Sequence, residues 1–235
     1  FGINFNVYYL ILIGKFSEII KMEEVRAYFI IVILATIVIA LDIMKLYDNF
    51  GQALRYSFFQ VNTIISTTGY STADFNAWPT FAKIILFMLM IIGSCAGSTA
   101  GGFKISRMLI LSKSSVTDMR KMLHPRQVIK TKLDGDVLSE DTIRNTKAYL
   151  VAYVGIMVVS ILLISIEGYG GFETNVSAVV ACFNNIGPGF ELVGATGNYS
   201  EYSIFSKIIL SLDMLAGRLE IFPMLLLFSP STWRK

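Results

Sequence analysis

A chain of 235 residues that is 54% hydrophobic and only 16% charged, with mean hydropathy +0.61, is too apolar for an ordinary soluble domain, so its expected solvent is lipid. The net charge of +3 is too small to imply a nucleic-acid partner. Two cysteines, Cys95 and Cys182, both in apolar surroundings, support neither a disulfide framework nor a metal cage.

At the start, Phe5-Asn-Val-Tyr-Tyr-Leu-Ile-Leu12 is similar to Phe103-Lys-Ile-Ser-Arg-Met-Leu-Ile110 further on. That likeness assigns residues 1–20 to the end of a preceding unit. With no methionine at Phe1 and no secretory signal pattern, the reading expects a piece of a longer chain.

Residues 21–125 then read as one unit: a spanning helix over Glu24 to Leu46, a shorter apolar helix over Phe50 to Ile65, and a second spanning helix from Thr80 to Cys95 with a continuation. Residues 126–235 repeat the pattern with Thr142 to Ile166, Phe172 to Phe183 and Tyr202 to Phe228. The repeat is carried by Phe81-Ala-Lys-Ile-Ile-Leu86 against Phe205-Ser-Lys-Ile-Ile-Leu210, and by Arg26-Ala-Tyr-Phe29 against Lys147-Ala-Tyr-Leu150. The middle segments, Leu54 to Ile65 and Val176 to Phe183, are too short to cross about 30 Å of hydrocarbon as helices, so each must enter and leave on one side. Backbone of this kind is tolerated in a membrane only where protein or a water-filled cavity surrounds it.

Charge gives the orientation. Ten of the twenty Lys and Arg residues lie between Lys104 and Lys147, and Lys15, Lys21, Arg26, Arg234 and Lys235 join them. Residues 70–80, 167–173 and 191–202 have none. Residues 104–147 and both ends are therefore expected in the cytoplasm, with the re-entrant loops dipping in from outside.

Both loops end in a glycine turn, Thr67-Thr68-Gly69-Tyr70 and Asn185-Ile186-Gly187-Pro188, with the glycines 118 positions apart. Helix, Thr/Gly turn and helix is the construction of a K+ selectivity filter, in which carbonyls replace the ion's water shell. K+ is expected at Thr67, Thr68, Asn185 and Ile186. The run Gly93-Ser-Cys-Ala96-Gly97-Ser98-Thr99-Ala-Gly101-Gly102 is too rich in small residues for a regular lipid-facing helix. It also fits overlapping GxxxG patterns, whose meaning would be close helix packing. Arg218 lies within an apolar helix and is expected to face the pore or a partner.

Taken together, Thr67-Thr-Gly-Tyr-Ser-Thr72, Asn184-Asn-Ile-Gly-Pro-Gly189 and Gly93 to Gly102 resemble the TrkH/KtrB superfamily of potassium uptake proteins. The resemblance covers nearly the whole chain. It implies an all-α integral membrane fold of repeated helix, pore-loop and helix units around a pseudo-fourfold pore, of which this chain holds the end of the second unit, the third and the fourth. It further implies a gate in which the Gly93 to Gly102 loop is faced by Arg218, K+ as the transported ion and no cofactor in this chain. A homodimer in the plasma (inner) membrane is implied too, with a cytoplasmic ring of nucleotide-binding (TrkA/KtrA-like) regulatory subunits on the basic face.

Other readings are weaker. Gly97 to Lys104 looks like a phosphate-cradling loop, but Phe103 separates glycine from lysine. The sole histidine, His124, precedes Pro125 in the basic segment and reads as a solvated loop residue. An enzyme with Ser98 or Cys95 as nucleophile has no base to accompany it. The main rival is a secondary transporter with broken helices, binding substrate at the membrane midplane.

Overall fold

The computed structural model describes residues 2–127, 129–219, 221–227 and 233. Phe228, the expected end of the last span, and the terminal cations Arg234 and Lys235 lie outside the described residues. The short helices α1 (Phe5–Leu12) and α2 (Phe16–Lys21) come first, separated by a turn at Gly14.

The long helix α3 (Glu23–Ile43) follows, with Glu23 and Glu24 in its first turn, where carboxylates favour the positive end of the helix dipole. Its 21 residues rise about 31 Å, the thickness of a hydrocarbon core. Phe29, Ile30, Ile33, Leu34, Ile37 and Leu41 are exposed along one face. Val25, Tyr28, Val32, Ile39 and Ile43 are buried on the other, which packs on α4 (Phe50–Ile65). Lipid offers no hydrogen bonds, so a β-branched run of this kind stays helical. Asn49 caps α4 through Oδ1, which accepts the Gln52 N–H at 2.9 Å.

α5 (Thr80–Ile92) begins after Pro79, and Asp42 Oδ2 accepts the Ala82 N–H of its first turn at 3.1 Å. It stops at Ile92, and the helix resumes as α6 (Ile105–Leu123), so residues 93–104 form a loop rather than a packed GxxxG face. The basic connection carries an element that the sequence analysis did not resolve, a hairpin of β1 (Lys132–Leu133) and β2 (Asp136–Val137). Its two-residue turn, Asp134-Gly135, has φ of 54° and 93°, the left-handed pair that suits a tight hairpin. Asp134 Oδ1 accepts the Glu23 N–H at 2.6 Å, so the hairpin tip caps α3.

The second unit consists of α7 (Glu140–Ser165), N-capped by Ser139, then α8 (Phe172–Phe183), α9 (Ile204–Leu219) and α10 (Ile221–Leu227). Both short middle helices have the bounds read from the sequence. α3, α4 and α5 pack together, as do α7, α8 and α9, and the two groups meet through α5 with α8 and α6 with α7. Val180, Ile186 and Phe190 of the second unit belong to the first unit's core. The two units therefore share one interior, with the turns after α4 and α8 inside it.

Candidate pore site

The turns after α4 and α8 share the hydrogen bonds of their first two residues. Thr67 N donates to Ile64 O at 3.0 Å and Thr68 N to Thr63 O at 2.8 Å; Asn185 N donates to Cys182 O at 3.0 Å and Ile186 N to Ala181 O at 2.8 Å. Handedness alternates in the same way in both: Thr67 and Gly69 have φ of 52° and 80°, Asn185 and Gly187 have φ of 57° and 106°, and the residues between them do not have positive φ. Alternating left- and right-handed residues turn successive carbonyls to one side of the strand. Glycine accepts such angles freely, asparagine tolerates them, and a β-branched threonine adopts them only under constraint. At Thr67 the constraint is the bond from Gly101 N to its Oγ1, at 3.0 Å.

The two turns lie side by side. A Cβ on Gly69 would fall 2.1 Å from the Ile186 carbonyl oxygen and 3.3 Å from Pro188 Cδ, so only glycine allows this approach. α4 and α8 end at Ile65 and Phe183, so the partial negative charge of both helix C-termini falls next to the turns. Tyr70, by contrast, is 74% exposed, and its ring takes no part in this packing.

Outside the turns, two further contacts hold the second strand. The Tyr199 hydroxyl donates to the Gly187 carbonyl at 2.7 Å, and burial pushes its pKa up, which keeps the proton needed for that bond. Asn76 Oδ1 accepts the Glu191 N–H at 3.0 Å while Asn76 Nδ2 donates to Glu191 O at 3.1 Å, tying the loop after one turn to the loop after the other. Sequence reasoning missed both residues. Tyr199 lies in the loop before α9 with no pattern that points to the pore turn, and Asn76 is 115 positions from its partner.

The Gly93 to Gly102 segment leaves and rejoins the helix line through a narrow neck. Phe103 N and Lys104 N donate to Ile91 O and Ile92 O, each at 3.1 Å, and a Cβ on Gly93 would fall 2.8 Å from Gly102 Cα. One carboxylate oxygen holds both flanks: Glu24 Oε1 accepts the Ala96 N–H at 2.6 Å and the Ser106 N–H at 3.0 Å. This residue was also missed, because a glutamate in a first helical turn reads as dipole compensation. Ser98 Oγ donates to Cys95 O at 2.6 Å, and Gly97 O accepts the Phe5 N–H at 3.1 Å, so the start of the chain packs on the loop.

The loop touches both turns. Ser94 Oγ donates to Ile65 O at 2.6 Å, and Gly101 lies so close to Asn184 O that a Cβ would fall 2.0 Å from it. From the second unit, Arg218 Nη1 donates to Thr99 O. Below the loop is a cavity of about 450 Å3 lined by Ala96 to Gly102, Lys104, Arg107 and Arg218. Arg107 sits over the Tyr149 ring, 3.9 Å from its centroid, a cation–π contact between the two units. Lys104, Arg107 and Arg218 give the cavity a polar, basic lining.

Of the predicted residues, Thr67, Gly69, Ile186 and Pro188 are brought together in the paired turns. Thr68, Asn185 and Gly187 complete the same two strands. Ala96, Gly97, Ser98, Thr99, Gly101 and Arg218 line the cavity, with Gly93 at the neck and Gly102 at both.

Repeated units of helix, buried half-spanning helix with a carbonyl-presenting turn, and helix define a membrane protein of the pore-loop class. A family profile described as "Cation transport protein", TrkH, matches residues 25–235, and the chain belongs to that family. It is 34% identical over its whole length to the Trk system potassium uptake protein TrkH of Salmonella typhimurium, of which it covers 48%. To the Trk system potassium uptake protein TrkG of Escherichia coli it is 32% identical, over 98% of this chain and 47% of that protein. The crystal structure of the potassium transporter TrkH from Vibrio parahaemolyticus superposes with a TM-score of 0.90 at 31% identity, over 99% of this chain and 50% of that one. The chain thus spans about half the length of the relatives it matches.

Proposed function

We propose that this chain supplies two adjacent sides of a K+ uptake pore, with Thr67, Thr68, Gly69 and Tyr70 on one side and Asn185, Ile186, Gly187 and Pro188 on the next. Further copies of the same unit supply the remaining sides. Residues 21–125 and 126–235 act as the two units, and residues 1–20 as the end of another. K+ is held by carbonyls at Thr67, Thr68, Asn185 and Ile186 and moves inward down its electrochemical gradient. The role is transport rather than catalysis. One observation carries the reading: the left-handed residues at 67 and 69 recur at 185 and 187 within the same hydrogen-bond frame.

The loop from Gly93 to Gly102, locked by Arg218, acts as the gate below the filter. Segment 104–147 and both ends face the cytoplasm of a cell whose plasma (inner) membrane holds the protein as a homodimer. A nucleotide-binding regulatory subunit docks on the basic face and draws α6, and with it the loop, out of the path. The potassium uptake named for the relatives supports the choice of ion.

Flux measured in reconstituted vesicles tests this. Rubidium should enter down its gradient without saturable counterflow. Gly69→Ala, which drives a methyl into the Ile186 carbonyl, should abolish entry, and Arg218→Ala should raise basal flux severalfold. Saturable counterflow, or flux indifferent to both substitutions, would favour a broken-helix carrier.

A further inference from the structure

Away from the pore, a recess of about 350 Å3 lies between α6 and residues 129–132, which lead into β1. Four cations line it, Lys113, Arg120, Lys130 and Lys132, together with Thr117 and Val116. Lys113 is neutralised by Glu23, and its ammonium also donates to Lys132 O at 3.0 Å, which fixes the hairpin against α6. Among the described residues, Arg120, Lys130 and Lys132 have no acidic partner within ion-pair distance. Three like charges around one small recess repel each other unless an anion sits among them.

The depth of the recess says which anion. Glu23 opens the membrane-length helix α3, and its carboxylate and N–H are bonded to Lys113 and to Asp134 of the hairpin tip. The recess therefore sits where α3 passes from hydrocarbon to water, at the level of the lipid headgroups. Packed against α3 in the same belt, α2 exposes Phe16 and Ile20 between Lys15 and Lys21, the apolar and basic mixture of a segment lying in a membrane surface. On α6, Val116 and Met119 are 42% and 57% exposed beside the cations, apolar surface suited to a glycerol backbone and the first methylenes of a chain.

We propose that this recess binds the phosphate headgroup of an anionic phospholipid of the cytoplasmic leaflet, held by Arg120, Lys130 and Lys132. The lipid would brace the hairpin, and through Asp134 the start of α3, against the membrane. The assignment rests on the cytoplasmic placing of residues 104–147 and is independent of whether K+ is the ion.

The test is native mass spectrometry of the membrane-extracted protein given equal phosphatidylglycerol and phosphatidylcholine. Wild type should retain phosphatidylglycerol preferentially. Arg120→Gln with Lys130→Gln should bind it roughly 30-fold more weakly, at about fivefold per charge removed. Lys121→Gln with Arg126→Gln removes the same charge outside the recess and should leave retention intact. Equal retention by all three proteins, or equal loss in both double variants, overturns the proposal. So does protection of the recess by millimolar inorganic phosphate without lipid preference, which would mark a free-phosphate site. Loss of a co-purifying cytoplasmic protein, with lipid retained, would assign the recess to a protein partner and overturns it too. Thiol labelling of Ser115→Cys in intact cells separates the premise: labelling from outside overturns both the orientation and the proposal, whereas labelling only from inside with no lipid preference overturns the proposal alone.

Discussion

The Gly101 N–H donates to the Thr67 hydroxyl at 3.0 Å, joining the intramembrane loop to the residue that begins the left-handed turn after α4. A loop that moved away would release this hydroxyl and Thr67's strained backbone together. Thr67→Val keeps the shape and removes the acceptor, at a cost of about 1 kcal/mol to the closed loop. Basal rubidium flux should rise roughly fivefold and K+ preference over Na+ should fall, while Thr67→Ser, which keeps the hydroxyl, restores both. Flux identical in Thr67→Val and wild type would show that the bond does not hold the loop.

Glu24 joins the two flanks of the same loop to α3 through Ala96 and Ser106. Bonds from backbone N–H to a charged acceptor contribute more than neutral ones, about 1.5–3 kcal/mol. Glu24→Ala should therefore lower the thermal unfolding midpoint and raise basal flux. Glu24→Gln, which retains an acceptor oxygen, should do both to a smaller degree. Circular dichroism melts and vesicle flux on the same preparations would check the order, and a larger effect of Gln than of Ala would contradict it.

Tyr199 engages the Gly187 carbonyl from outside the turn. Tyr199→Phe keeps the ring and its stacking on Tyr202, whose centroid lies 6.0 Å away, and removes only the hydroxyl. The freed carbonyl can turn, so the permeability ratio of Na+ to K+ should increase with little change in unfolding midpoint. Reversal potentials under bi-ionic conditions measure that ratio, and an unchanged value would exclude a positioning role.

Just beyond the C-terminus of α7, Glu167 accepts hydrogen bonds from the hydroxyls of Ser203 and Ser206. These hold its carboxyl below the ordinary value of 4.5. Because the folded-state value is the lower one, the stabilisation is complete above the ordinary value and is lost as pH falls through the folded value. Glu167→Gln, which resembles the protonated carboxyl, should flatten the acid limb of a melting-temperature profile by lowering the neutral-pH value toward the acid one. An acid limb of the same steepness in the variant would place the titrating group elsewhere.

The architecture was legible where one residue's chemistry suffices. Apolar blocks, the Phe-x-Lys-Ile-Ile-Leu repeat and paired glycines located the helices, and α4 and α8 have the bounds that the sequence suggests, because polar and glycine-rich residues flank both. The interruption between Ile92 and Ile105 was signalled by its glycines, although GxxxG packing predicts a continuous helix from the same letters. What stayed hidden depends on partners distant in sequence. Glu24 meets residues 72 and 82 positions away, and Asn76 meets one 115 away, so neither carries a local pattern. The hairpin at 132–137 did carry one, the Asp134-Gly135 pair, but the density of lysine and arginine around it drew attention to charge instead.

Ion density tests the central claim most directly. Crystals of the protein grown in rubidium or thallium should show a row of anomalous peaks alongside the paired turns, within coordination distance of the carbonyls of Thr67, Thr68, Asn185 and Ile186. Peaks confined to the cavity beside Gly93 to Gly102 and Arg218, or to the recess at Arg120 and Lys130, with none alongside the turns, would contradict it.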